Sequence, residues 1–380
     1  MKRRNVISHS RRETVNSVRN ERKKKSDGVT TEDRLSQLPD EIILRILSAL
    51  DVKSVVQTSI LSKRWKYIWV SLPVLNLNDS SFAESISFED FVDNFMSARD
   101  SSCNVFKLSL ECHNELEDHE LLDSIIDHVT DTPSISTTIQ VLTIFAESVV
   151  TKLPELSVCR SLTVLNLSCI ASEISIFNLP SLKQLYLYDC RFECGMGDSL
   201  DLFGECVNLH YLYFHSCVYY GDVKSFIISA PQLRQLDISG FRVDEMFDDQ
   251  CEIELVTPRL KYFKYQDSDL YSFSTEIDLN FVEEIDIDVG WGTNYTRVDE
   301  DEEEDTDSLY RLIELFEILR RAEFISLSTE VIQVLSRFPD ILEDQSSPFT
   351  RMQTFELIHD TTFTSGIPNA VKAYLFGETS

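Results

Sequence analysis

A short apolar template recurs along most of this chain: one apolar residue, two variable ones, an apolar residue, one variable, then a third apolar one. It reads SLTVLNL at Leu162, Leu165 and Leu167, SLKQLYL at Leu182, Leu185 and Leu187, and NLHYLYF at Leu209, Leu212 and Phe214. It continues as QLRQLDI (Leu233, Leu236, Ile238), RLKYFKY (Leu260, Phe263, Tyr265) and FVEEIDI (Val282, Ile285, Ile287). Successive first positions lie 20, 27, 24, 27 and 22 residues apart. Weaker copies begin at Leu72, Val105 and Ile139, and again at Ala322 and Met352. The alternation inside each copy predicts a short strand with its apolar residues on one face.

Six copies at that spacing match the period of leucine-rich repeats, about 20–29 residues. The other reading of the same strings is a set of unrelated strands in an ordinary α/β domain. One unit cannot bury its apolar face alone, so neighbours are expected to stack into a parallel-stranded solenoid. The return segments would run outside as helix, 3₁₀ turn or coil. Asn or Cys often follows such a strand, where its side chain can serve backbone groups at the turn. Cys190 and Cys217 stand there, eight residues after Leu182 and Leu209. Ile170 and Phe241 take the place in other units, so the repeats are irregular.

Ahead of the repeats the period changes. LPDEIILRILSAL, Leu38 to Leu50, places Leu38, Ile42, Ile43, Ile46, Leu47 and Leu50 on one helical stripe. Pro39 suits the first helical position, and Asp40 and Glu41 the first turn. Asp51 can cap a second short helix carrying Val52, Val55 and Val56, and a third begins near Ser62 with Arg64, Trp65, Ile68 and Trp69. Three helices in so few residues make a small core that a partner would help to stabilise.

This helical segment resembles the F-box, in the plant form that precedes leucine-rich repeats. The strings that carry the resemblance are LPDEIILRILSAL, VVQTSILSKRWKYIW (Val55 to Trp69) and SLPVLNLND (Ser71 to Asp79). Asp51-Val52 departs from the proline-containing turn of many such sequences. The resemblance implies a substrate receptor of an SCF-type ubiquitin ligase, docked on a small adaptor and through it on cullin and RING subunits. It further implies an adaptor surface of Leu38, Pro39, Ile42, Ile43, Leu47, Val52, Leu61 and Trp65. Leu38, Pro39 and Ile43 begin the helix and are expected to be exposed, whereas Trp65 and Ile46 could equally fill the helical core. Many plant relatives end in an FBD region; here the tail after Phe349 would be at most a reduced form of it.

The expected fold is therefore α/β, a small three-helix F-box followed by a leucine-rich-repeat solenoid with a parallel sheet on its concave face. The expected segments are a disordered basic tail over 1–30, the F-box over 31–71 and the repeat array over 72–298. An acidic loop over 299–307 and C-terminal repeats with a cap over 308–380 complete the chain. The tail holds ten Lys/Arg against three acids between Met1 and Gly28, with clusters at Arg11-Arg12 and Arg22 to Lys25 spaced like a nuclear import signal. A solubilising tail is the other reading.

The formal charge of −29 argues against a nucleic-acid-binding body. No run approaches the ~18 apolar residues of a membrane helix, so neither nucleic acid nor membrane is an expected partner. Nine unframed cysteines point to a reducing compartment, nucleus or cytoplasm. Cys190, Cys194, Cys206, His210, His215 and Cys217 invite a zinc reading, but no C-x-x-C pair occurs, so no metal and no RING of its own is expected. With no phosphate-cradling glycine loop, no H-E-x-x-H and no Gly-flanked nucleophilic Ser, the chain is read as non-catalytic and without cofactor.

Residues between the inward template positions would face the concave side. There Tyr186, Tyr188, Tyr211, Tyr213 and His215 are expected to form one aromatic patch, with Tyr262 further along and Glu284, Asp286 and Asp288 as an acidic edge. These aromatics are the candidate surface for an unknown protein target; the competing account is that Tyr simply suits a half-exposed strand. A non-degradative scaffold and a small-molecule sensor remain alternative functions.

Overall fold

The computed structural model describes residues 35–377, apart from 36, 83–84, 114–119, 151–155, 174–176, 194–196, 221–222, 245–250, 291–301 and 359–365. The basic tail with its two clusters, Cys194, and Asp299 to Asp301 of the acidic run lie outside the described residues.

Each of the eleven template copies becomes a strand. In chain order these are β1 (Val74–Asn78), β2 (Lys107–Cys112), β3 (Val141–Val150), β4 (Val164–Glu173), β5 (Gln184–Tyr188) and β6 (Tyr211–His215). β7 (Gln235–Ser239), β8 (Tyr262–Asp267), β9 (Glu284–Val289), β10 (Phe324–Ser328) and β11 (Thr354–Ile358) follow. Every strand pairs in parallel with the next, in sequence order, as one continuous ladder. Register keeps equivalent positions opposite one another: Leu165 with Leu185, Leu185 with Leu212, Leu212 with Leu236, and Leu236 with Phe263. A slip of one residue would turn each inward Leu to solvent, so burial itself enforces this register. All six regular first positions, Leu162 through Val282, are buried, as are the fourth and sixth.

A left-handed residue stands at the same place in four successive units: Cys169 within β4, and Asp189, Ser216 and Gly240 directly after β5, β6 and β7, with φ of 57, 49, 52 and 65°. The amides of Asp189, Ser216 and Gly240 each donate to the next unit's carbonyl, of His215, Ser239 and Gln266, at 2.8 Å. Directly behind, the buried Cys190 thiol donates to Tyr188 O (3.4 Å) and Leu167 O (3.6 Å), and Cys217 to Leu187 O (3.4 Å) and His215 O (3.6 Å). Hydrogen bonding with Cys217 and then burial push the Cys190 thiol far up, so it stays protonated as a donor. An L-residue with positive φ is strained by about 1 kcal/mol or more. Ser216→Gly is therefore expected to stabilise by about 0.5–1 kcal/mol and Gly240→Ala to destabilise by about 1 kcal/mol in urea unfolding. A Cβ on Gly240 would meet nothing closer than 3.4 Å, so dihedral strain and not collision carries that cost.

Helices α1 (Asp40–Leu47), α2 (Val52–Gln57) and α3 (Trp65–Ile68) form the N-terminal unit. Pro39 is the N-cap and Asp40 the first helical residue, one position later than the sequence predicts. Asp51 caps α2 as expected, accepting from Ser54 N at 2.9 Å. This unit closes the free edge of β1. Asn76 Nδ2 donates to Ser48 O and Leu50 O at 3.1 and 3.2 Å, taking up carbonyls at the end of α1. Lys53 Nζ donates to Ser81 O at 2.6 Å and lies 3.8 Å from the Phe82 ring centroid.

The outer segments are helical near both ends, with α4 (Ser85–Ala98) and α5 (Glu120–Asp131) early, and α6 (Glu302–Ile318), α7 (Thr329–Arg337) and α8 (Asn369–Phe376) late. α4 locks the helical unit to the solenoid: Trp69 stacks on Phe95 at 5.3 Å, and the buried Arg99 donates to Leu72 O at 2.9 Å. In the middle the expectation of helix, 3₁₀ turn or coil is corrected. Gly197–Asp201, Val223–Ser229, Glu252–Val256 and Ser272–Ser274 form a second parallel sheet on the convex side. A third ladder joins the end of β4 to Arg191–Glu193, Val218–Tyr220 and Arg242–Asp244. Strands replace helices there because these segments also alternate, as with Phe226 and Ile228 or Ile253 and Leu255, all buried.

The expected acidic loop is also corrected. Its described part, Glu302 to Asp307, is the opening of helix α6 and not a loop.

Candidate interaction surfaces

Burial divides the residues expected to meet an adaptor. Ile43, Leu47 and Val52 are buried in the core of the helical unit, which corrects their assignment to a surface and above all that of Ile43, and Trp65 is buried there too, in line with its core reading. Leu38 is half-buried against the same core, and Pro39 is exposed. Ile42 and Leu61 remain well exposed, at 43% and 60%. Beside them stand exposed apolar residues that the resemblance did not supply: Leu35, Ile46, Leu50, Tyr67 and Ile60, the last 89% exposed. Ile42 and Ile46 share one edge of the α1 stripe, and Ile43 and Leu47 the other, with Leu50 just beyond the helix end. Arg64 Nε donates to Asp40 Oδ1 at 3.0 Å, holding the segment after Leu61 to the start of α1. The result is a small helical unit with aliphatic side chains left in water. Such side chains gain about 25 cal/mol for each Å² that a partner covers.

The second surface is the concave face. The register sets Tyr186 beside Tyr213 and Tyr188 beside His215. Ring centroids of Tyr188 and Tyr213 are 5.2 Å apart, of Tyr186 and Tyr213 6.2 Å, and of Tyr188 and His215 6.1 Å. Tyr213 and His215 stack 6.1 Å apart, with 3.4 Å between the phenol oxygen and Nδ1. Tyr211 is exposed in the neighbouring row, opposite Gln184 and Gln235.

Tyr262 lies apart from these rings. Gln235 stands between it and Tyr211, and its strand neighbour on the other side is Glu284. Burial, then Asp286, Asp237 and Glu284, push its phenol up to about 12. Burial raises the phenols of Tyr188 and Tyr213 as well. The sequence reading left Asp237 out of its site set, although it directly adjoins the patch, opposite Tyr213 and next to Lys264. Its place between Leu236 and Ile238, the inward positions of QLRQLDI, is the available signal.

Comparison with known proteins adds to this geometry. An F-box domain model matches residues 35–77, which covers the three helices and most of β1. An F-box/LRR-repeat protein of Arabidopsis thaliana is 27% identical over 315 residues, 80% of this chain and 73% of the relative. An Arabidopsis F-box protein is 28% identical, over 69% of this chain and 64% of its own length. An F-box/FBD/LRR-repeat protein of the same plant is 29% identical, over 69% of this chain and 60% of the relative. The chain thus spans less than two thirds of the length of the last two. With its helices at 35–77 and its parallel repeat ladder behind them, the chain carries an F-box domain followed by a leucine-rich-repeat-type solenoid, and is similar over most of its length to plant F-box/LRR-repeat proteins.

Proposed function

We propose that this chain is the substrate-recognition subunit of an SCF-type ubiquitin ligase. The F-box helices dock on the adaptor, and the adaptor links them to cullin and RING subunits. The concave face holds a target protein, and the chain itself does no bond chemistry. It acts by proximity, raising the effective concentration of the target near the charged conjugating enzyme. The observation that carries this reading is the exposed aliphatic set on the F-box helices, Ile42, Ile46, Leu50, Ile60 and Leu61. The eight described cysteines, none in a disulfide bond, support work in the nucleus or cytoplasm.

Co-expression with a plant SCF adaptor is the test. The adaptor is expected to co-purify with the full chain, and the pair to join a cullin and RING subunit. Soluble, folded protein that recovers no adaptor would sink the receptor reading in favour of a scaffold independent of the ligase.

A further inference from the structure

The concave face of β5 to β9 brings aromatic rings and carboxylates together and holds a single lysine. Tyr188 meets the Tyr213 ring at 51° and 5.2 Å, while Tyr213 and His215 lie nearly parallel at 4°. The Tyr188 ring is therefore tilted against a parallel Tyr213–His215 pair. Asp237 is the next residue in the row after Tyr213, one strand spacing away. It accepts from Ser239 Oγ at 3.1 Å, and burial lifts its carboxyl above the usual carboxylate range, with Lys264 acting the other way. Beyond it the row continues to Lys264 and Asp286, 4.0 Å apart, with Glu284 and Asp288 on the same strand as Asp286. At the concave positions of these five strands, four carboxylates thus face one ammonium.

We infer that this face receives an arginine or lysine side chain from a segment of a partner protein, its cation lying over the Tyr188 and Tyr213 rings and its charge met by Asp237. The inference rests on the receptor reading only in calling that partner a target. Ring faces attract cations, and a nearby carboxylate in a half-buried setting strengthens the attraction. An anionic segment would enter the field of four carboxylates, and a purely apolar one would cover Asp237 without compensating its charge. The rest of the chain leans the same way: beyond Gly28 it carries 61 acids against 25 basic residues, so association with a basic segment is favoured at long range.

The probe is a fluorescein-labelled nonapeptide of alternating arginine and serine, with a glutamate counterpart, titrated against the full chain at physiological salt. The arginine peptide is expected to bind and the glutamate peptide to fail. Asp237→Asn and Tyr213→Ala should each weaken binding about fivefold or more, and Tyr213→Phe, which keeps the ring, should retain it. Asp340→Asn with Glu343→Gln, exposed carboxylates far along the chain, controls for diffuse attraction and should leave affinity unchanged. No binding by the wild type, unchanged affinity in Asp237→Asn, or an equal loss in the control would each overturn the inference. Melting curves keep a folding defect separate, and Asp237→Asn carries the test if Tyr213→Ala unfolds. Adaptor co-purification is scored on the same samples. Its loss with peptide binding kept would sink the receptor reading alone, and the reverse would sink this site alone.

Discussion

A chain carrying Ile42→Asp and Leu61→Asp is expected to remain folded and to lose its adaptor. Both side chains face water in the free protein, so a carboxylate at either place costs the fold little. In a docked complex each carboxylate would be taken out of water without a partner, a penalty of several kcal/mol. Affinity should fall at least about a hundredfold, enough to abolish co-elution on gel filtration. The contrasting pair is Ile43→Ala with Leu47→Ala. These side chains are buried, so their loss should instead lower unfolding stability by about 2–4 kcal/mol each, with adaptor binding impaired only as far as the unit unfolds. If the aspartates left adaptor binding intact, the docking surface would have to lie elsewhere on the molecule.

The second large effect belongs to the middle of the solenoid. Phe226, on the convex sheet, sits among Phe241, Tyr219, Phe203 and Phe214, with ring centroids 5.1, 5.9, 6.3 and 6.3 Å away. All five rings are buried. Phe226→Ala should destabilise by about 3–5 kcal/mol, through lost transfer energy and through a cavity the surrounding rings cannot fill. Domains of ordinary stability hold about 5–15 kcal/mol in total, so the variant is expected to sit near its unfolding threshold at 37 °C. In a repeat array the damage spreads first to adjacent units, so amides of β6 and β7 should lose hydrogen-exchange protection before those of β1 or β10. A loss below about 1 kcal/mol in urea unfolding would mean that the convex sheet does not close the core as described.

The strand ladder could be read from the sequence because each copy states its inward residues twice, once by the alternation and once by the fixed offset from the first Leu. That is also why the aromatic patch was legible: register follows from the template, and register alone sets Tyr186 beside Tyr213. Helix α1 was legible only in part. Ile42 and Ile43 are neighbours on one apolar stripe, yet consecutive helical residues point about 100° apart, and packing decides which of them is covered. Here the rest of the unit buries Ile43 and leaves Ile42 in water. The convex strands escaped notice because their alternation is short and has no fixed spacing to a leucine. The acidic run was misread because a charge block suggests solvent and says little about backbone form; α6 begins within it and packs its later turns, Leu309, Leu312, Leu315 and Phe316, into the core.

The seal that the F-box helices place over β1 has a practical consequence. A fragment beginning at Leu72 would keep every repeat, but the first strand would then offer a bare row of amides and carbonyls to any passing chain. Exposed parallel edges of that kind recruit one another into aggregates. The N-terminal helices thus also cover the solenoid's first strand, and fragments meant for studying the concave face should retain them.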